Sequence, residues 1–247
     1  MMIDARKTFG PFSKFAHRLA LVLVASVFTL AAHADETAGA DDFSQANRLL
    51  FMTDHMSNVE TPAVLKYSFT RQGDKNDSFD DHVDLDVAKG EHVGKSVKVD
   101  FLSGDRHRHA PDVGNARGNP VIMMFLQNDV LSLAERTGGS WRYFQRRMKF
   151  AFEDEATVEE GKAEYDGHEV AVKRISLQPF KQEKAHREAL GSETEKRYVI
   201  TLSDEVPGGV LEMRSEIPPQ NGASNKTVER LALKSAQRVG AESATGS

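Results

Sequence analysis

Two histidines flank a single residue at His107-x-His109, with Asp105 and Asp112 close by in the chain. Imidazoles at that spacing can share a zinc, copper or nickel ion, for which imidazole is the common side-chain ligand. A solvated cationic loop accounts for the same residues, and no third ligand stands at a characteristic spacing. Met52, His55 and Met56, at i, i+3 and i+4, could present soft ligands to cuprous ion on one helical turn. Ordinary amphipathic packing uses the same spacing. Arg142, Arg146, Arg147 and Lys149 are interleaved with Trp141, Tyr143 and Phe144. Such a run can contact a lipid headgroup or a phosphate. It can also be a helix face paired with Glu153, Asp154 and Glu155, which is the preferred reading.

Catalytic signals are sparse. Ser103, Ser132 and Ser140 lie near glycines, but no Gly-x-Ser-x-Gly elbow occurs. A phosphate-binding Walker loop, a dinucleotide fingerprint and a His-Glu-x-x-His helix are all missing. Cysteine is absent, which excludes a disulfide, a thiol nucleophile, an iron–sulfur cluster and Cys-ligated zinc. Carboxylates are too numerous for a glycosidase pair to stand out. The expectation is a protein that is not an enzyme and uses no cofactor and no metal.

The 247 residues are 39% hydrophobic and 28% charged, a composition that argues against wholesale disorder. The formal net charge is −5. Residues 1–34 hold four basic side chains (Arg6, Lys7, Lys14 and Arg18) against Asp4, so the rest of the chain is more acidic still. An acidic chain disfavours nonspecific nucleic-acid binding, which is driven by a basic footprint. The first 34 residues read as a secretory signal peptide. Their basic stretch precedes an uncharged run from Leu19 to Ala32, closed by the small-x-small pattern Ala32-His33-Ala34. That run is short for a bilayer span, which needs about twenty residues, and no later segment approaches membrane length. The expectation is therefore a periplasmic or secreted protein, with no transmembrane segment after cleavage before Asp35. Residues 35–234 form a single domain, after a loose acidic leader at 35–42. Residues 235–247 are small and polar, and read as a disordered tail.

The positioning elements follow from periodicity. Asp42 can cap a helix that places Ala46, Leu49, Leu50, Thr53 and Met56 on one face and ends before Pro62. Period-two alternation at 64–72, 79–87 and 95–102 predicts a meander of three strands, each with one wet and one buried face. Residues 103–118 read as a long surface loop. Asn119 caps a helix with Pro120 at its first position, apolar on more than one face and stopping at Gly138-Gly139. Residues 141–152 form a second helix, with Trp141, Phe144, Met148 and Phe152 in one stripe. Strands return at 156–165 and 168–178, around the hairpin pair Asp166-Gly167. A polar loop at 179–194 with about one helical turn precedes strands at 196–202, 210–217 and 228–233. The fold class is α+β: a largely antiparallel, curved, incomplete-barrel-like sheet with helices packed on one face.

This order resembles the LolA/LolB-like superfamily of periplasmic lipoprotein carriers and sensors. The residues bearing the resemblance are the helix 42–58, the strands within 65–102, and NPVIMMFLQNDVLSL at 119–133. The segments YFQRRMKFAF (143–152) and KRYVITLSDEVPGGVLEMRSEIP (196–218) also look like those of uncharacterised exported bacterial proteins. The resemblance implies an incomplete barrel plugged by helices, with acyl chains held between. The implied lining is Leu65, Tyr67, Phe69, Val97, Val99, Phe101, Met123, Met124, Phe125 and Met148, and the implied partner is an apolar ligand or a lipidated protein. Methionine suits chains of variable shape, because it is flexible and polarizable. Two alternatives stay open: the same residues can make a filled core, and the chain can be an envelope structural or interaction protein without a small ligand.

Overall fold

The computed structural model describes residues 43–73, 77–184, 186–219 and 226–239. The signal at 1–34, the leader at 35–42 with the Asp42 cap, and residues 240–247 lie outside the described residues. Ten strands form one antiparallel sheet that does not close into a barrel: β1 Ala63–Gln72, β2 Phe79–Lys89, β3 Lys95–Phe101, β4 Arg108–His109, β5 Val113–Ala116, β6 Thr157–Tyr165, β7 His168–Leu177, β8 Arg197–Leu202, β9 Val210–Ile217 and β10 Thr227–Arg238. Their order is β4-β3-β2-β1-β10-β9-β8-β7-β6, with β5 also on β3. The helices are α1 Gln45–Asn47, α2 Pro120–Thr137, α3 Trp141–Phe150 and α4 Arg187–Leu190. π-helical turns extend α1 through Arg48–Met52 and α3 through Ala151–Glu155.

The meander and the C-terminal strands are the two halves of the sheet, joined by β1 against β10. Phe69 faces Leu231, and Tyr67 faces Leu233 across that seam. The same row continues through Met213 on β9, Ile200 on β8 and Ile175 on β7. Side chains in register share a face, so this row is the inner wall. Ala46 and Leu50 of the α1 segment, Val121, Ile122, Phe125 and Leu126 of α2, and Met148 of α3 join it in one core cluster. Val130 and Leu133 of α2 pack separately with Phe144, Phe180 and Leu190.

Local signals formed as their chemistry requires. The Asn119 side chain accepts from Val121 N at 3.0 Å, and Gly138 ends α2 in the left-handed region. Asp166 and Gly167 both take positive φ, +50° and +76°, as a type I′ turn demands. Three expectations differ. The first helix stops at Met52 rather than before Pro62. There the Thr53 hydroxyl donates to Arg48 O, and the His55 ring engages Leu49 O, so side chains take the carbonyls a longer helix would use. The 103–118 segment is not a free loop. It lays β4 and β5 on β3, and Arg106 Nε donates to Asp81 at 2.9 Å with its guanidinium 4.5 Å above the Phe79 ring. The last strand does not end at Leu233 either. β10 continues to Arg238, with Lys66 to Ala63 facing Ser235 to Arg238 after a bulge beside Tyr67. Backbone pairing to β1 holds this polar stretch, which has little of its own to bury.

Candidate binding site on the concave face

The structure brings the implied lining residues together on one side of the sheet. Leu65, Tyr67, Phe69, Val97, Phe101, Phe125 and Met148 are all buried members of the core. Val99 and Met124 are partly buried against it, and Met123 is half-buried. Aromatic rings interlock in the middle: Phe69 lies 5.9 Å from Phe79, 6.1 Å from Phe101 and 6.2 Å from Phe125. Around Phe69 the space is occupied by protein.

Open space lies beside this wall. A cavity of about 360 Å³ sits between the α1 segment and β6–β8, and includes Leu49, His55, Val172, Leu202 and Gly209 in its lining. Glu160, Lys173, Asp204 and Glu205 supply its polar boundary. On the opposite face of the sheet, where Arg174, Thr201, Glu212 and Ala232 are in register, a second cavity of about 430 Å³ is lined by these residues with Tyr165, Leu211 and Arg230, among others. Here Arg230 pairs with Glu212, and Arg174 donates to Lys162 O. None of the ten implied residues lines either cavity.

A buried polar junction separates the first cavity from the wall. Asn119 Nδ2 donates to Tyr67 Oη at 3.0 Å and to Gly208 O at 2.8 Å. Asn119 N donates to His55 Nδ1 at 3.3 Å, so the hydrogen of the neutral ring is on Nε2, which donates to Leu49 O at 2.8 Å. Gly208 and Gly209 both have φ above +70°. A Cβ on Gly208 would stand 2.8 Å from Asn119 Nδ2 and from Leu65 Cδ1, and one on Gly209 would stand 2.9 Å from His55 Cδ2. Glycine is needed there both for backbone conformation and for this close approach.

Burial lowers the pKa of His55 against the pull of Leu49 O, Asp204 and Asp54. A histidine depressed in the fold contributes stability above its unfolded value of about 6.5 and loses it as pH falls below that value. Urea midpoints of the parent should therefore drop between pH 7.5 and pH 5. The limit is about 1.4 kcal/mol per pH unit from this one group. His55→Gln should have the shallower profile, and parallel profiles would remove His55 as the cause.

Sequence reasoning missed a second buried polar group, between α2 and β8. Asp129 accepts from Lys196 Nζ on one oxygen and from Tyr198 Oη on the other. Lys196 also lies 3.7 Å from Glu193, which takes two hydrogen bonds from Arg136. Asp129 and Arg136, seven residues apart, thus fasten one side of α2 to the sheet. On the same inner wall Glu229 pairs with Arg71 and accepts from Ser215 Oγ at 3.4 Å. Burial pulls the Lys196 pKa down, but Asp129, Glu229 and Glu193 outweigh it and raise it. Burial and Asp129 push Tyr198 well above its ordinary value. The signal was available: alternation through Tyr198, Ile200 and Leu202 puts Lys196 on the buried face, and alternation through Leu233 and Leu231 does the same for Glu229.

The histidine pair stays near one carboxylate, and the Met52–His55–Met56 set is split. His107 Nε2 lies 3.2 Å from Asp100, whose backbone position faces His109. Met56 is in the core while Met52 is 49% exposed, and both nitrogens of His55 are engaged. Among the described residues no group of three His, Asp or Glu side chains could hold a metal ion. The basic run of α3 is mostly unpaired by the acids at 153–155, contrary to the preferred reading. Arg147 alone bonds Glu155, at 3.2 Å, while Glu153 is taken by Ser44 and Asn47.

No family model and no curated protein matches the chain. Among solved structures it is similar to a domain from Vibrio parahaemolyticus provisionally assigned to outer membrane lipoprotein sorting. Identity is 10% over 73% of this chain and 87% of that one, with a TM-score of 0.21. No helix of the described residues is long and apolar enough to cross a membrane.

Proposed function

We propose that this is an exported binding protein, not an enzyme, that takes an acyl chain or the lipid of a lipidated protein between its curved sheet and its helices. The observation that supports this best is the cavity of about 360 Å³ beside the α1 segment. Its apolar lining is Leu49, Val172 and Leu202, which pack in the same core cluster as the inner wall. Gly209 lines it, and the adjoining Gly208 packs on Leu65 and lies beside Tyr67. Charged residues at its boundary suit a polar headgroup, with the tail directed inward. Partly buried Met123 and Met124 give the cover deformable side chains. Each methylene taken from water contributes about 0.8 kcal/mol, and micromolar affinity corresponds to about 8 kcal/mol, so part of a fatty chain suffices after association costs.

The test is titration of delipidated protein with a fluorescent fatty acid. Saturable micromolar binding is expected, weakened at least tenfold (about 1.4 kcal/mol) by Ala171→Trp, which fills the cavity from an exposed lining position. Met124→Trp, in the cover, should weaken it too. No saturable binding, or undiminished binding in folded Ala171→Trp, would leave the envelope interaction protein as the better reading. That alternative draws on the two sheet edges, β6 and β4, which pair on one side alone among the described residues.

A further inference from the structure

The cationic stripe of α3 has no role in the cavity. Arg142, Arg146 and Lys149 stand at i, i+4 and i+7, which is one face of a helix, and all three are exposed. Among the described residues none of the three has a carboxylate partner; the Arg142 guanidinium lies 4.6 Å over the Trp141 ring. The neighbouring Arg147 is different, because Glu155 and Pro179 O hold it. Of the acids that follow α3, Glu153 bonds Ser44 and Asn47, Glu155 bonds Arg147, and Asp154 pairs with none of the three. The stripe runs into Phe150, which is 47% exposed. Phe43, 41% exposed, adjoins Ser44, whose hydroxyl donates to Phe152 O at 2.8 Å and so brings Phe43 to the same end of α3.

Unpaired basic side chains ending in exposed phenyl rings combine attraction to anionic headgroups with an apolar foothold. The chain as a whole is acidic, at −5, so long-range attraction to an anionic surface has to come from a local patch such as this one. We infer that this stripe docks the protein on an anionic bilayer. Lipid phosphates lie against Arg142, Arg146 and Lys149, and Phe150 and Phe43 insert at the acyl boundary. The docking does not depend on the cavity and can be read separately from it.

The experiment is co-sedimentation of the protein with vesicles of pure phosphatidylcholine and with vesicles containing about one third phosphatidylglycerol, at low salt. Binding is expected on the anionic vesicles alone, and it should fall at about 0.5 M salt, where the screening length is only a few ångströms. The combined variant R142E/R146E/K149E should lose at least tenfold in vesicle affinity, and Phe150→Ser several-fold, with thermal midpoints close to the parent. Should the combined variant fold poorly, Lys149→Glu alone should still show a several-fold loss. Equal binding to neutral vesicles, no binding to anionic ones, or unchanged binding in folded variants would overturn the inference. Fatty-acid affinity should be the same in parent and variants, so failure here leaves the cavity reading standing, and the reverse also holds.

Discussion

Asp129→Ala should destabilise the fold by about 3–5 kcal/mol, the range for removing one partner of a buried ion pair. Asp129 and Lys196 are each about 2% exposed, so solvent does little to screen the loss. Without the carboxylate, Lys196 keeps a buried charge against Glu193 at 3.7 Å, and Tyr198 loses the acceptor of its hydroxyl. Water cannot replace these partners without opening the contact between α2 and β8. Urea unfolding measures the change. Lys196→Met should also destabilise, yet Asp129→Leu combined with Lys196→Met should cost clearly less than the two single changes added, because no orphaned charge remains. Strict additivity would show that the two groups do not act as a pair. A domain of this kind has about 5–15 kcal/mol in total, so Asp129→Ala by itself approaches the limit of what the fold tolerates.

Phe125→Ala is the second large effect, expected at about 3–5 kcal/mol for a fully buried phenylalanine. Phe125 is 2% exposed, and its ring centroid lies 6.2 Å from that of Phe69, itself in contact with Phe79 and Phe101. Truncation leaves a void among rings that other core residues already pin. A loss below about 1 kcal/mol would mean that the space beneath α2 collapses or opens readily. That outcome would favour a ligand reaching the centre of the wall, whereas the expected loss confines the ligand to the cavity beside the α1 segment.

The candidate site was legible in part for a physical reason. Which residues face inward is a matter of period, and period is written along the chain: Leu65, Tyr67 and Phe69 alternate, and so do Val97, Val99 and Phe101. Whether inward-facing residues enclose space or fill it depends on the shapes brought from other elements. Phe125 and Phe79 fill the volume around Phe69, whereas small residues such as Gly161 and Ala171 line the open space between the α1 segment and β6–β8. Lys196 and Glu229 were passed over because a lysine or glutamate in an alternating strand reads as its wet side. The phase of the alternation placed them on the dry one.

The amino-acid sequence alone was enough for the hairpin at Asp166-Gly167, the start of α2 at Asn119-Pro120 and its stop at Gly138, and the alternation of buried and wetter positions along β1, β2 and β3. These depend on φ preferences, capping groups and periodicity among residues a few positions apart. Tertiary structure decided the rest. β1 and β10 meet across more than 150 residues of chain, and nothing in either strand names the other. That pairing joins the two halves of the sheet and carries the last strand to Arg238. The short first helix, the β4 and β5 ribbons on β3, and the neutral His55 beside Asn119 arise where distant groups compete for the same hydrogen bonds. Asp129 is tolerable inside the protein only because the fold brings Lys196 and Tyr198 to it, and a buried charge is stable only with its partners in place.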